Sequence, residues 1–458
     1  MKIIIVGVGK IGYALAQELS KEDHDIVIID QQAARVSHAL DTLDVSALTG
    51  NGASIEILME AEVGKADLLI AVTGIDELNL LCCLTAKKIG TRHTIARVRK
   101  PEYSRQIELM KDELGLSAIV NPEQGAAAEI SRILRLPGAA SVDTFSAGRV
   151  ELVGFRVAPD SILEGLPLLK FRERLGRNVL VCTAERGGNI QIPRGSFIIQ
   201  AGDRLNVIGT SNDIYHFFHR INSQRRRIDR VMIVGGSQIS TYLSRALLSA
   251  DMAVTLIEKN EKRCQEIKSL LPQIDMVWGD GTQVEVLQEE GVEEVDAFVA
   301  LTNSDEDNTI ISMYASSLGV DKVIIKVNEQ HIIDLMENTP LDTFIQPKNI
   351  CSERILQYVR ARQNIVGSSM NALYNLAGGR VEALGFDVLE TSRCLGKPLK
   401  NLPIRDNVLI AYISRGNRSF IPTGDDYLEV EDEVVVITLK LGMHELDDIL
   451  TENNSVME

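Results

Sequence analysis

The sequence predicts an α/β protein made of two tandem repeats, each a doubly wound parallel sheet followed by a small α+β lobe. Three observations predict it. Apolar strands alternate with amphipathic helices from the first residues. The same order of segments returns in the second half of the chain. Within each half, the alternation gives way to short strands and tight turns.

The repeat is read from matched segments. Gly7 and Gly235 both end an apolar strand and lie 228 positions apart. "GNGASIEILMEAEVGKADLLIAVT" from Gly50 matches "GDGTQVEVLQEEGVEEVDAFVALT" from Gly279, 229 positions on. "GRVELVGFRV" (148–157) matches "GRVEALGFDV" (379–388) at an offset of 231, and "IQIPRG" corresponds to "SFIPTG". A nearly constant offset means tandem duplication of a unit of about 225 residues.

In the first unit, "KIIIVGV" is a strand, "YALAQELSK" a helix and "DIVIID" a strand; "VSALTG", "DLLIAVT" and "HTIARV" follow with helical patterns between them. Strands alternating with helices predict a parallel sheet covered on both faces. Right-handed crossovers then give a Rossmann-like N-lobe. Asn121-Pro122 stops one element, and 123–136 reads as a helix leaving the lobe. From about residue 148, "VELVGFRV", "VLVCTAERGG", "IQIPRG" and "DRLNVIG" are short strands, with a helix near "LLKFRERLG". This is a small α+β C-lobe. The second unit repeats the order, with its exit helix near 349–362. The predicted lobes are 1–120, 140–222, 228–348 and 370–454. Between the halves, Arg225, Arg226 and Arg227 read as a solvated linker in preference to a grip on a phosphate or an acidic partner.

"GVGKIG" places Gly7, Gly9 and Gly12 after an apolar strand and at the opening of a helix. Gly7 permits the tight turn, Gly9 lets phosphate approach the backbone, and Gly12 lets helix and strand pack closely. The amides of Val8, Lys10 and Ile11 at the helix start favour an anion. Lys10 either adds charge or points to water. Asp30 ends the next strand, where a carboxylate accepts hydrogen bonds from ribose hydroxyls and repels a 2′-phosphate; a plain strand-end turn residue is the alternative. Other strand ends line the same edge: Asn51, Gly52 and Ala53 near adenine or ribose, Thr73 and Gly74 near phosphate or ribose, and Arg97 near a distal phosphate or ion-paired with an acid such as Glu77.

The second fingerprint, "GGSQIS", keeps Gly235 with Gly236 beside it but puts Ser237 and Ser240 where Gly9 and Gly12 stood. Gln238 and Ile239 open its helix. Glu258 takes the ribose position, and Asp280, Thr302 and Lys326 replace Asn51, Thr73 and Arg97. Serine is small enough to keep the turn open, while Ser240 would loosen the helix–strand approach. A weaker or altered nucleotide site is predicted, with a structural relic as the alternative.

Composition narrows the function. The chain has 458 residues, enough for two to four domains, with 45% hydrophobic residues and a formal net charge of -16. That charge argues against nucleic acid as partner and against a polybasic membrane anchor. No apolar run reaches the roughly 20 residues that cross a bilayer, and the opening strand predicts no signal peptide. The six scattered cysteines read as buried thiols of a reducing compartment, so a cytoplasmic protein is expected. His216 and His219 are the one close histidine pair; aromatic-flanked packing is preferred to metal binding, and no metal site is predicted. The small lobes offer no acid–base residue for a dehydrogenase, and no Walker lysine, nucleophile elbow or His-Glu-x-x-His motif occurs. No catalytic residue is assigned.

In order, "MKIIIVGVGKIG", "DIVIID", "TGNGAS", "DLLIAVTGIDELNLL" and "IARVRKPEY" resemble the N-lobe of RCK domains, the regulators of potassium conductance, and the small lobes resemble the RCK C-lobe. Two such units in tandem resemble the TrkA family of cytosolic subunits of Trk potassium uptake systems, over essentially the whole chain. The resemblance implies a nucleotide-sensing regulatory subunit and not an enzyme. It implies NAD(H), or ATP or ADP, in the N-lobe crevice. It implies a homotetrameric ring docked on the cytoplasmic face of a TrkH/TrkG-type membrane translocator. "GGSQIS" departs from the pattern and leaves the second crevice open to question. Some relatives bind cyclic di-AMP between C-lobes, for which 178–193 is a candidate counterpart. The alternative reading is an NAD-dependent oxidoreductase with duplicated Rossmann domains.

Overall fold

A computed structural model describes residues 1–451 apart from 23, 101, 102, 104, 105, 108, 112, 137, 177, 222–227, 337, 338, 364–368, 377–379, 417, 440 and 441. The arginine run 225–227 therefore lies outside the described residues.

The first N-lobe runs β1 (Lys2–Val6), α1 (Lys10–Leu19), β2 (Asp25–Asp30), α2 (Ala33–Thr42), β3 (Ser46–Thr49), α3 (Ile55–Glu60), β4 (Leu68–Ala71), α4 (Asp76–Ile89), β5 (His93–Arg97) and β6 (Ala118–Val120). Its strands are parallel in the order β3-β2-β1-β4-β5-β6. The winding reverses between β1 and β4, and there the carboxyl edge opens into a crevice. Ile3, Ile4 and Ile5 are all fully buried because helices cover both faces. Ile3 and Ile5 pack with Leu15 and Leu19 of α1, and Ile4 with Leu58 and Cys83 on the other face.

The exit helix α5 (Pro122–Arg135) begins with a proline, whose missing N–H costs nothing there. Asn121 caps it by accepting from the Gln124 amide. The first C-lobe comprises β7 (Ala139–Phe145), β8 (Val150–Arg156), α6 (Leu168–Leu175), β9 (Leu180–Arg186), β10 (Asn189–Gln191), β11 (Arg204–Thr210) and α7 (Ser211–Ile221). Its antiparallel order is β10-β9-β11-β8-β7. The 178–193 stretch supplies β9 and β10. On α7, Tyr215 stacks edge-on against both His216 and His219 on the exposed side, while Phe217 and Phe218 enter the core.

The second N-lobe repeats the plan with β12 (Arg230–Val234), α8 (Gln238–Leu248), β13 (Ala253–Glu258), α9 (Glu261–Leu270), β14 (Asp275–Trp278), α10 (Val284–Glu289), β15 (Ala297–Ala300), α11 (Asp305–Ser317), β16 (Lys322–Lys326), α12 (Gln330–Leu335) and β17 (Phe344–Ile345). The order is β14-β13-β12-β15-β16-β17, again parallel. The exit helix α13 (Pro347–Gln363) leads to β18 (Met370–Leu376), β19 (Val381–Asp387), β20 (Val408–Arg415), β21 (Arg418–Phe420) and β22 (Glu433–Thr438), ordered β18-β19-β22-β20-β21.

Each exit helix packs on the other unit. Ala126, Ala127, Ile130 and Ile133 of α5 share a core with Val231, Leu243 and Leu247 of the second N-lobe. Cys351, Ile355, Leu356 and Val359 of α13 complete the core of the first. The two C-lobe sheets also share a core, with Phe145, Leu152 and Cys182 against Ala383, Tyr412 and Val435. Each fully buried aliphatic side chain stabilises by roughly 1.5–3 kcal/mol, so the exchange joins both units into one body. All six cysteines are free and buried. Burial pushes the Cys82 thiol up to about 12, which leaves it protonated and unreactive. Among the described residues, no helix is long and apolar enough to cross a membrane.

Candidate functional site

At the rim of the first sheet, Gly7 has φ +97° and turns the chain from β1 toward α1. Gly12 lies against that turn: a Cβ there would sit 1.9 Å from the Gly7 carbonyl oxygen. Gly9 occupies the N-cap of α1 and contributes no capping side chain. Its missing Cβ would meet only Arg35 Nη1, at 3.9 Å, so the amides of the first turn face open space.

Asp30 ends β2 and is nearly buried. Its Oδ2 accepts from the Val8 amide at 2.7 Å and its Oδ1 from the Gln32 amide at 2.8 Å. Arg35 Nη1 lies 3.7 Å from Oδ2. The carboxylate therefore fixes the turn as well as lining the crevice, and each oxygen keeps a further lone pair. Across the rim, buried Asn79 accepts from the Thr73 amide (2.8 Å) and hydroxyl (2.7 Å) and donates to the Arg97 carbonyl (2.9 Å). It ties the ends of β4 and β5 together.

Arg97 pairs with Glu123 of α5 at 3.4 Å. The expected acid, Glu77, instead accepts from Lys100 at 2.8 Å and from the Tyr103 hydroxyl at 3.0 Å. The Lys100 bond leads in pulling the Glu77 carboxyl down to about 2. Arg97 Nε and Glu123 Oε2 are both buried without a hydrogen-bond partner.

These groups surround a cavity of about 640 Å³. Of the predicted first-unit residues, Gly7, Gly9, Lys10, Ile11, Asp30, Gly52, Thr73, Gly74 and Arg97 line it. Val8 and Gly12 build the turn behind it. Asn51 folds back on its own loop, accepting from the Ala53 amide at 3.1 Å, and neither residue is in the wall. The far wall belongs to the second unit: Ile239, Lys326, Asn328, Pro347 and Lys348. Ile239 and Lys326 were expected at the second rim, but the facing N-lobes bring both to the first cavity. Lys10 also reaches across, its Nζ 2.9 Å from Glu329 Oε1.

The second rim keeps the frame and fills it differently. Gly235 has φ +99°. Glu258 Oε2 accepts from the Gly236 amide at 2.5 Å and Oε1 from the Asn260 amide at 2.7 Å, as Asp30 does in the first unit. Glutamate is one methylene longer, and a Cβ on Gly236 would lie 2.9 Å from Glu258 Cγ. Glycine therefore stands where the first unit has Val8. Ser237 caps α8 through its hydroxyl, accepting from the Ser240 amide at 3.3 Å. The Ser240 hydroxyl donates to the Gly235 carbonyl. Ser240 thus converts the close approach at Gly12 into a hydrogen bond, where loosening had been expected. Arg263 donates to the Gly236 carbonyl at 2.7 Å and to Thr241 Oγ1 at 2.9 Å. Asp280 accepts from Thr282, whose hydroxyl holds the Asp280 carboxyl below its ordinary value. Thr302 and Asn308 repeat the Thr73–Asn79 arrangement. Gln238 is the first residue of α8.

Sequence reasoning missed Arg35 and Asn79. Their counterparts, Arg263 and Asn308, lie 228 and 229 positions on, within the repeat's own offset, and that identity was the available signal. It also missed Glu123, Asn328 and Lys348, which no local pattern connects to the fingerprint.

TrkA-N domain models match residues 3–122 and 231–347, and TrkA-C domain models match residues 152–222 and 384–451. The Trk system potassium uptake protein TrkA homolog of Archaeoglobus fulgidus is 33% identical over 449 residues, covering 98% of this chain and 100% of the relative. The Trk system potassium uptake protein TrkA of Vibrio alginolyticus is 31% identical, covering 95% of each. Among solved structures, the GsuK RCK domain matches with a TM-score of 0.62 at 17% identity, covering 95% of this chain and 92% of that one. The GsuK channel bound to NAD matches with a TM-score of 0.63 at 16% identity, covering 95% of this chain and 76% of that one. These two likenesses establish the tandem RCK-type fold. With both domain types matched twice and full-length relatives at this identity, the chain belongs to the TrkA family of Trk system potassium uptake proteins.

Proposed function

We propose that this protein is the nucleotide-sensing regulatory subunit of a potassium uptake system. One observation carries the reading: the first rim's cavity is walled on its far side by the second unit. A ligand there touches both units, so it biases any equilibrium between two arrangements that bind it differently. Coupling of about 1–3 kcal/mol is typical of such linkage. The residues fit an adenine nucleotide. The bare turn at Gly9 and the α1 amides would face phosphate, Asp30 would take ribose hydroxyls, and Arg97 would meet the distal end. NAD(H), ATP and ADP are the candidate ligands. The partner would be a TrkH/TrkG-type membrane translocator, met on its cytoplasmic face by a homotetrameric ring of this chain. The relatives bear TrkA names along their whole length, which favours regulation over the oxidoreductase alternative.

Calorimetric titration of ATP, ADP and NADH tests the site. Asp30→Ala should weaken all three by about tenfold or more, the worth of one charge-assisted hydrogen bond. Unchanged affinities would remove the site. Potassium flux through a copurified translocator, measured with each nucleotide, tests the regulation. Turnover of NADH with hydroxy acids or aldehydes would return the oxidoreductase reading.

A further inference from the structure

The segment that follows Arg97 joins the two rims. The Arg99 guanidinium donates to the carbonyl of Gly74, in the wall of the first cavity, and the Arg99 amide donates to Asp76 Oδ2 at 2.9 Å. The Arg99 carbonyl turns the other way. It accepts from the hydroxyl of Tyr242, on α8 of the second unit, at 3.1 Å. The same hydroxyl accepts from Asn121 Nδ2 at 3.0 Å, and Asn121 is the buried cap of α5. Tyr242 follows Thr241, whose hydroxyl oxygen accepts from Arg263 at 2.9 Å. Arg263 in turn holds the Gly236 carbonyl of the second turn. A chain of contacts therefore runs from the wall of the first cavity to the second rim, and Tyr242 is where it passes between the units. The repeat does not copy this crossing. Ala14 stands where Tyr242 does, 228 positions earlier. Gln346 precedes α13 as Asn121 precedes α5, and its buried Nε2 has no hydrogen-bond partner among the described residues.

We infer that Tyr242 is a positioning residue that couples the first cavity to the second rim. This rests on the nucleotide reading above and adds to it the route by which the second unit senses the ligand. Tyr242 does not line the first cavity, so it acts through Arg99 and the α5 cap. Arg97 faces the ligand side, and two residues on the Arg99 carbonyl faces α8. Peptide planes are stiff, so a ligand that shifts Gly74 or Arg97 shifts that carbonyl as well. Coupling requires two arrangements that bind the ligand differently; here they are the hydrogen-bonded Arg99–Tyr242–Asn121 group and its parted form. One neutral hydrogen bond sets the scale of the effect at about threefold to tenfold.

The test is amide hydrogen exchange on the full chain, with ATP as the probe. In the wild type, ATP should slow exchange at the first rim, residues 7–19. It should also slow exchange by about threefold or more at the start of α9, residues 260–264, which lie outside the first cavity. Tyr242→Phe removes the hydroxyl and keeps the ring against its core. It should leave calorimetric ATP affinity within about threefold, leave the protection of 7–19 intact, and abolish the ATP effect at 260–264. A merely structural role would raise exchange at 260–264 equally with and without ATP and preserve the ATP effect; that result overturns the inference. So does an ATP effect confined to 7–19 in the wild type. If ATP slows neither segment in the wild type, the nucleotide reading itself fails and the inference falls with it. Should Tyr242→Phe not fold, Asn121→Ser decides. Serine still caps α5 but lacks the amide donor to Tyr242, so the ATP effect at 260–264 should shrink, and an unchanged effect overturns the inference.

Discussion

The two nucleotide-type rims share a backbone and differ in who answers their polar groups. In the first, Gly9 leaves the α1 amides uncapped and facing a cavity. In the second, Ser237 caps the helix, Ser240 bonds to the Gly235 carbonyl, and Arg263 covers the Gly236 carbonyl. Duplication preserved the turn, the strand-end carboxylate and the threonine–asparagine tie. What changed is the occupancy of the donors. A fold-level repeat therefore does not carry a repeated ligand site with it.

The largest effect that would sharpen this contrast is Gly12→Ala. Its Cβ would sit 1.9 Å from a backbone oxygen and has no hydroxyl to make the contact a bond. It should destabilise by about 1–3 kcal/mol in urea denaturation, and Gly12→Ser should cost less. The next is stoichiometry. Calorimetry should count one tight adenine nucleotide per chain, and the paired change Ser237→Gly with Arg263→Ala should raise binding at the second rim. Two equal tight sites in the wild type would break the comparison.

The crossing of the exit helices gives a smaller, pH-dependent effect. Glu129 on α5, Glu353 on α13 and Asp143 on β7 are half-buried, with Arg132, Arg360 and Tyr374 about them. Burial, reinforced by the Asp143 charge, pushes both glutamates up to about 8, and burial alone pushes Asp143 up to about 6. A raised carboxyl pKa means the folded state holds protons that the unfolded chain has released. Stability should therefore fall as pH rises from about 4.5 toward 8, and Glu129→Gln or Glu353→Gln should flatten the melting profile across that window. A flat wild-type profile would show that the carboxyls are solvated. The smallest effect is at the exposed Lys10–Glu329 pair, where Glu329→Gln should move the melting temperature by less than about 1 °C.

Local pattern made much of this legible. The strand–turn–helix glycines, Asp30 at the end of "DIVIID" and both exit helices follow from spacing and punctuation within about 25 residues. Arg35 and Asn79 were legible only by comparing the halves. Glu77 was the nearby acid for Arg97 in sequence, but the pairing went to Glu123, which α5 brings across from beyond β6.

By itself the sequence determined two α/β units, the first fingerprint and the altered second one, because period, turn chemistry and spacing act through neighbours along the chain. Only the tertiary structure decided that each exit helix completes the other unit's core, and that Lys326 and Lys348 wall the first cavity. Those contacts join residues about a hundred or more positions apart. They arise because neither unit can bury its apolar faces alone, a requirement of packing that no local pattern encodes.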